Sequence, residues 1–596
     1  MAHTWPVSIP LEDYALLGDR RTAALVSREG SIDWLCLPRF DSGAVFARLL
    51  GDEDDGSWSM SIEDGEVIER SYAGDTFVLR TRWRGPDGEA VVTEFMPQSD
   101  HHSDLMRRVE VTRGRVVVRH ELRMRPDYGA RLPWMRQVDV DGAQTLVGIS
   151  GPDGFAMHGP SLRAEGTAHT GRFRLTEGEA QTWSLVWFPS HEDPPAMRDW
   201  DEELASTVED WTKWASELSG HDGDPAIIRS LLVLRALTHH ATGGIVAAPT
   251  TSLPEDLGGE RNWDYRYVWL RDSALVIEAM LAYGPGETMW RDWLLRAVAG
   301  DAQQVRIVYG IAGEIVPPDR ELEHLSGYAD SRPVRTGNSA SEQYQADVIG
   351  EVMIALDRMR ESGVEETTFS WSLQRLLLDY VEQHFDDKDC GIWEMRGERH
   401  HFTHGRVMMW AAFDCGIRAV ETRGLSGPVE RWRGLRERLH DEIHERGWNA
   451  EIDSFTQTYG SAEVDASLLV LPHTGFIAWD DPRMLATVRR IEADLVDEQG
   501  LVYRYRCTTG VDGLEGTEYP FLLCCFWLVE SYARTGRLAD AERLYDQVVS
   551  YGGELHLLAE EYDPERRQLM GNYPQAFSHL GLVEAAEAIR EARKAG

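Results

Sequence analysis

The stretch Tyr519-Pro520-Phe521-Leu522-Leu523-Cys524-Cys525-Phe526-Trp527-Leu528 is apolar on every side. A helix of that composition has no face to offer water, so it must lie inside a layer of other elements. The apolar run ends at Val529, too short to cross a bilayer. The segment 286–300 is instead amphipathic, as an outer helix is. Helical spacing marks about twelve segments, starting near 225, 264, 286, 340, 367, 404, 427, 463, 482, 518, 537 and 573. Their connections alternate in length. Short turns follow even segments, as in Gly284-Pro285-Gly286-Glu287, Glu361-Ser362-Gly363 and Thr535-Gly536-Arg537. Long loops follow odd ones, near 244–263, 305–339, 387–403, 447–462, 497–516 and 552–572. In an up-down array, loops of one parity gather at one end, so the six long loops share a face, where function usually resides. Six hairpins of one inner and one outer helix predict an (α/α)6 barrel over 225–596. The alternative is an open solenoid, but no fixed repeat marks one.

The first third reads differently. Thr76 to Trp83, Ala90 to Met96, Leu105 to Thr112, Val116 to Met124 and Gln181 to Phe188 are rich in strand formers. Gly85-Pro86-Asp87-Gly88 and Arg113-Gly114 separate them as turn signals. This pattern predicts an antiparallel β-sandwich over 1–195. Asp199 to Ser219 is acidic and amphipathic, a linker helix within 196–224.

Composition narrows the function. The 596 residues carry 61 Lys+Arg against 100 Asp+Glu, a formal charge of −39. That excludes nucleic acid as a bulk partner and argues against anionic membrane surfaces. With 42% hydrophobic residues and 21 Trp, the chain folds rather than solvates. Met1 to Arg20 shows no basic start followed by an apolar core, and the six cysteines show no zinc spacing. Reduced thiols in a cytoplasm are expected.

The long loops carry the chemistry. Asp389-Cys390-Gly391-Ile392-Trp393-Glu394-Met395-Arg396 sets a carboxyl beside an indole and an isoleucine, surroundings suited to a proton donor; a structural ion pair is the alternative. Leu557-Leu558-Ala559-Glu560-Glu561-Tyr562-Asp563 groups acids that could hold a general base, a metal or nothing. Paired carboxylates on one face are the machinery of glycoside hydrolysis. Asn262 to Asp272 opens the second helical segment, and its Arg and Asp side chains can grip vicinal hydroxyls; a helix N-terminus held by aromatic packing and an ion pair is the alternative. His400, His401 and His404 invite a metal reading, but no Glu completes an HExxH arrangement. No metal or cofactor is expected.

These loops resemble glycoside hydrolase family 15, the glucoamylase-type inverting enzymes, and its bacterial branch in particular. Pro10 to Asp19 and Gly30 to Pro38 look like its N-terminal domain, and 249–272, 324–338, 391–410 and 557–579 like its barrel loops. The resemblance implies Glu394 as general acid and Glu560 as general base. It implies Arg271 and Asp272 as the grip on the terminal glucose, with Tyr265 and Trp269 near that pocket. Arg504 looks like the arginine at the scissile bond, and Arg332 and Arg335 like part of the second active-site loop. Trp393, before the acid, and Glu561, beside the base, join them as sugar-binding candidates. Met395 stands where fungal members have a second Glu, and Asp330 and Ser331 where they have a loop tryptophan. The expected function is inverting, exo-acting hydrolysis of short α-glucosides, isomaltose-type or malto-oligosaccharides, with trehalose as the alternative substrate. A phosphorylase and a non-catalytic sugar binder are more distant readings.

Overall fold

The computed structural model describes residues 8–99, 102–284, 288–299 and 305–595. The first seven residues, and Pro285, Gly286 and Glu287 of the first short turn, lie outside the described residues.

The N-terminal region is a β-sandwich whose strand pairings are all antiparallel. The long strand Ser103–Arg123 belongs to both sheets. Its first half pairs with Gly88–Phe95 and Ala180–Pro189, its second with Ser57–Ile62 and Ala168–Thr176. The two runs predicted around Arg113-Gly114 are thus one strand, and the turn signal marks a corner within it. Gly114 has φ +68°, and a Cβ there would stand 2.3 Å from the Asp87 carbonyl oxygen, so only glycine makes this corner. Between the sheets the Trp183 ring meets His120 and Phe173 at 4.9 and 5.2 Å.

Helix α1 (Trp200–Glu217), capped by Asp199, leads to the helical domain. There follow α2 (Pro225–Ala236), α3 (Leu270–Leu281), α4 (Met289–Val298), α5 (Val348–Glu361) and α6 (Thr368–Gln383). Next come α7 (Thr403–Arg423), α8 (Val429–Glu442), α9 (Pro482–Leu495), α10 (Leu522–Arg534), α11 (Leu538–Ser550) and α12 (Ala576–Ala595). The eighth predicted segment is a 3-10 helix, Ala466–Thr474, with Pro472 inside it. Proline lacks the N–H that an α-helical turn would use there.

The inner ring runs α3, α5, α7, the 3-10 helix, α10 and α12, and closes where α12 packs on α3. Every residue of α10 from Leu522 to Ala533 is buried, as its all-apolar sequence requires. Outer α8 buries only Trp432 and Leu439. The chain is therefore an N-terminal β-sandwich followed by an (α/α)6 barrel. No helix among the described residues is long and apolar enough to cross a membrane.

The sandwich braces the loop end of the barrel. Trp34 Nε1 donates to the Pro249 carbonyl (2.8 Å), and Tyr573 Oη to the Tyr14 carbonyl (2.9 Å). Arg266, buried against Trp34 and Tyr128, donates to the Ser42 carbonyl at 2.8 Å.

Candidate active site

The long loops meet around a cleft enclosing about 700 Å³, open solvent included. Five of the six line it, and just beyond the one at 447–462, Asp465 at the start of the 3-10 helix accepts the Trp393 indole N–H at 2.9 Å. The loop-parity argument thus anticipates where the cleft lies, and the cleft collects residues from Ala247 to Phe577.

The second helix starts at Leu270, not near 264. Ahead of it, Trp269 is extended, and Val268–Trp269 pairs with Val308–Tyr309. Trp263, Tyr265 and Trp269 face the cleft. Asp264 and Arg266 pair behind it at 2.7 Å. An extended run of alternating aromatic and charged residues sorts them to opposite sides.

Tyr265 and Trp269 hold one carboxylate each. Tyr265 Oη donates to Glu560 Oε1 at 2.7 Å. Trp269 Nε1 donates to Glu394 Oε1 at 2.6 Å. The two rings stand edge to face, 5.7 Å between centroids, so the aromatic pair spaces the two carboxylates across the cleft. The indole that serves Glu394 is therefore Trp269, not its neighbour Trp393. Glu394 itself has φ +62°, a left-handed conformation that costs a non-glycine residue energy and recurs at functional sites. Arg271 Nη2 lies 3.5 Å from Glu394 Oε1 and 3.0 Å from Asp272 Oδ2, and donates through Nη1 to the Ile392 carbonyl. Burial pushes Asp272 up to about 6, with Arg271 pulling it back.

Glu560 is buried, and its Oε2 has no hydrogen-bond partner among the described residues. Gly571 lies beneath it: a Cβ there would come within 2.8 Å of Glu560 Cβ and 2.9 Å of Oε2, at φ +80°. Burial, then the charge of Glu255, holds the Glu560 carboxyl well above the usual carboxylate range, while Arg504 lowers it. Arg504 pairs with Glu518 (2.7 Å) and Glu255 (3.0 Å) and approaches Glu561 at 3.7 Å.

Three candidates lie elsewhere. Arg332 is exposed and donates to the Ser326 carbonyl. Arg335 stacks on the outer side of the loop, 4.7 Å over Trp263, and donates to the carbonyls of Glu260 and Asn262. Glu561 is fully buried and accepts from the Tyr519 N–H; it begins the strand Glu561–Asp563, so it points away from Glu560. The charged lining residues absent from the sequence reading are Glu255, Arg261, Asp512 and Glu518. Glu255 lies in the 249–272 loop, but an acid after Leu253-Pro254 carries no signature of its own.

His404 is buried with Nε2 3.7 Å from Glu351, and His400 pairs with Asp389 through the backbone, so the histidines do not converge. Cys507, Asp512 and Glu518 do converge among the described residues. Arg261 donates to both acids, at 2.6 Å to Asp512 and 2.5 Å to Glu518, and a guanidinium within the donor set opposes a cation.

Two carboxylates in different surroundings across one aromatic-lined cleft can give and take protons on opposite sides of a sugar. The model of "Glycosyl hydrolases family 15" matches residues 223–587, and that of "Trehalase-like, N-terminal" matches 5–164. A trehalase of Mycolicibacterium smegmatis is 33% identical over 98% of this chain and 92% of its own length. A trehalase of Thermoplasma volcanium is 33% identical over 98% and 94%. Across 98% of this chain and 95% of the other, the fold follows that of a bacterial glucoamylase complexed with acarbose, with a TM-score of 0.72 at 13% identity. Fold and family together define a glycoside hydrolase. The chain belongs to glycosyl hydrolase family 15.

Proposed function

We propose that the protein hydrolyses α,α-trehalose with inversion, Glu394 acting as general acid and Glu560 as general base. The observation that carries the substrate is the likeness, over nearly the whole chain, to proteins named trehalase. It favours trehalose over the isomaltose-type and malto-oligosaccharide substrates expected from the sequence. The geometry supports the roles through the two aromatic-held carboxylates.

One glucose of trehalose sits against Arg271 and Asp272, whose charged groups bind its hydroxyls. Glu394 gives its proton to the bridging oxygen. A water on the other side of the ring loses its proton to Glu560, and its oxygen bonds to the anomeric carbon as the C–O bond breaks. Room for that water requires the carboxyls to stand about 6.5–9.5 Å apart. The attacked glucose leaves as the β-anomer, and the departing glucose keeps its α configuration. No step in this scheme calls for a metal or organic cofactor.

The test is kcat/KM on trehalose, isomaltose, maltose and a malto-oligosaccharide series. Trehalose is expected to exceed each of the others by at least ~100-fold, because a site shaped to hydrogen-bond one leaving sugar rejects others strongly. Maltose or isomaltose turned over as well as trehalose would contradict the substrate. A steep rise with chain length would indicate a glucoamylase.

A further inference from the structure

The base in this reading has a second carboxylate behind it that the two-carboxylate scheme does not use. Tyr265 Oη, 2.7 Å from Glu560 Oε1, is also 3.4 Å from Glu255 Oε1. The other oxygen of Glu255 is fixed by Arg504 Nη2 at 3.0 Å, and its backbone N–H by the Arg261 carbonyl at 3.0 Å. One hydroxyl hydrogen thus faces two buried carboxylates, and a hydroxyl has only one hydrogen to give. The Oε2 of Glu560 is buried and has no hydrogen-bond partner among the described residues, so no protein donor competes there for its lone pairs.

We propose that Glu255 is a positioning residue for the base: it takes the Tyr265 hydrogen bond when Glu560 takes the proton of the attacking water. This inference rests on Glu560 being the base. In the form that reacts, Glu560 is ionised and is the nearer acceptor. As the water O–H bond breaks, its proton bonds to Glu560 Oε2. The neutral carboxyl is a weak acceptor. The Tyr265 O–H then turns about its C–O bond toward Glu255 Oε1, which remains ionised and paired with Arg504. No further proton moves, and the charge of the group changes only by the proton that arrived. Glu255 acts in two ways. Its negative charge raises the proton affinity of Glu560, and its free oxygen receives the donor that protonation releases.

The charged and titratable groups around Glu560 are Glu255 and Tyr265 from the loop before α3, Arg504 and Glu518 from the loop before α10, and its chain neighbour Glu561, whose side chain points the other way. Arg504 is the cation among them, so its pull on Glu560 depends on how much of its charge Glu255 and Glu518 absorb. The direction for Glu255→Gln follows. Loss of a negative charge, and release of Arg504 from one partner, both favour ionised Glu560. The acidic limb of the pH–rate profile, where Glu560 must lose its proton to work, moves to lower pH. Tyr265→Phe removes a donor to ionised Glu560 and moves the limb to higher pH.

The experiment is the pH dependence of kcat and kcat/KM on trehalose for the full chain and for Glu560→Gln, Glu255→Gln, Glu255→Asp and Tyr265→Phe. Glu255→Gln is expected to lower the acidic limb by about one pH unit and kcat by about tenfold, since a weaker base removes protons more slowly. KM is expected to stay within about twofold, because Glu255 does not bind sugar in this account. If Glu560→Gln is inactive while Glu255→Gln keeps the wild-type limb and kcat, the role of Glu255 is overturned and the base stands. An active Glu560→Gln would remove the base itself. If Glu255→Gln does not fold, Glu255→Asp decides: it keeps the charge but withdraws the oxygen from Tyr265, so kcat falls with the limb unmoved. Wild-type kcat in that variant would overturn the proposal.

Discussion

Glu560→Gln is expected to turn over trehalose about 10²–10⁴-fold more slowly than the wild-type protein while folding at least as stably. The amide oxygen still accepts from Tyr265 Oη, which lies 2.7 Å from Oε1 in the native chain, so the side chain keeps its place. It cannot hold a proton taken from water. Stability follows a separate argument. Burial and the neighbouring Glu255 raise the Glu560 carboxyl well above the usual range. A carboxyl raised in the folded state binds protons more tightly there than in the unfolded chain. Its effect is therefore to lower stability as pH rises from the ordinary carboxylate range toward its folded value. The neutral amide removes that loss. Glu394→Gln is expected to match the loss of activity, since its amide cannot protonate the leaving oxygen. Kinetics together with thermal denaturation at pH 5 and pH 8 check both halves. Activity within about tenfold of wild type in either variant would reject that residue's role.

Arg504→Met is expected to cost about 3–5 kcal/mol of stability, the usual result of leaving buried charge unpaired. Arg504 is the cation between Glu255 and Glu518, with Glu561 at 3.7 Å. Arg261 remains, bound to Glu518 and Asp512. Without Arg504 the acids either repel one another or hold protons. Both outcomes are milder at low pH. Glu255, Glu560 and Glu561 all have raised folded values caused first by burial. Loss of the cation raises them further, so the unfolded chain binds fewer protons than the folded one over a wider pH range. The difference from wild type is thus smallest near pH 5 and grows toward pH 8. Thermal denaturation across that range measures it. A deficit independent of pH would mean that Arg504 contributes packing rather than charge.

Much of this was legible in the sequence, for reasons that can be named. The alternation of short and long connections encodes a closed double ring, and it held because helix ends, unlike helix contacts, are marked locally by glycine and proline. Tyr519 to Leu528 could only be interior. The eighth segment kept its place but not its type, since Pro472 sits where an α-helix needs an N–H. The run from Trp263 to Trp269 misled because it leads without a break into the helix that begins at Leu270, although its strict alternation of side chains has the period of a strand. Pairing with Val308–Tyr309 decides for the second. Arg113-Gly114 misled in the same way: a positive-φ glycine marks a strand corner as readily as a hairpin.

The site was legible where motif and geometry coincide. Glu394, Glu560, Arg271, Asp272, Tyr265, Trp269, Trp393 and Arg504 all line one cleft. Arg332 and Arg335 do not, because their loop turns one guanidinium to solvent and stacks the other behind Trp263. Glu255 was invisible for the opposite reason. Its importance lies in two contacts, with Tyr265 and with Arg504, the latter 249 residues away in the chain, and no local pattern announces either.

The most direct measurement of the central claim is the anomeric composition of the first products from trehalose, followed by proton NMR before mutarotation. Inversion with Glu560 activating water predicts equal amounts of α- and β-glucose, the β-anomer from the attacked ring and the α-anomer from the departing one. Glucose appearing only as the α-anomer would mean retention, and would contradict the assignment of Glu560 as the base.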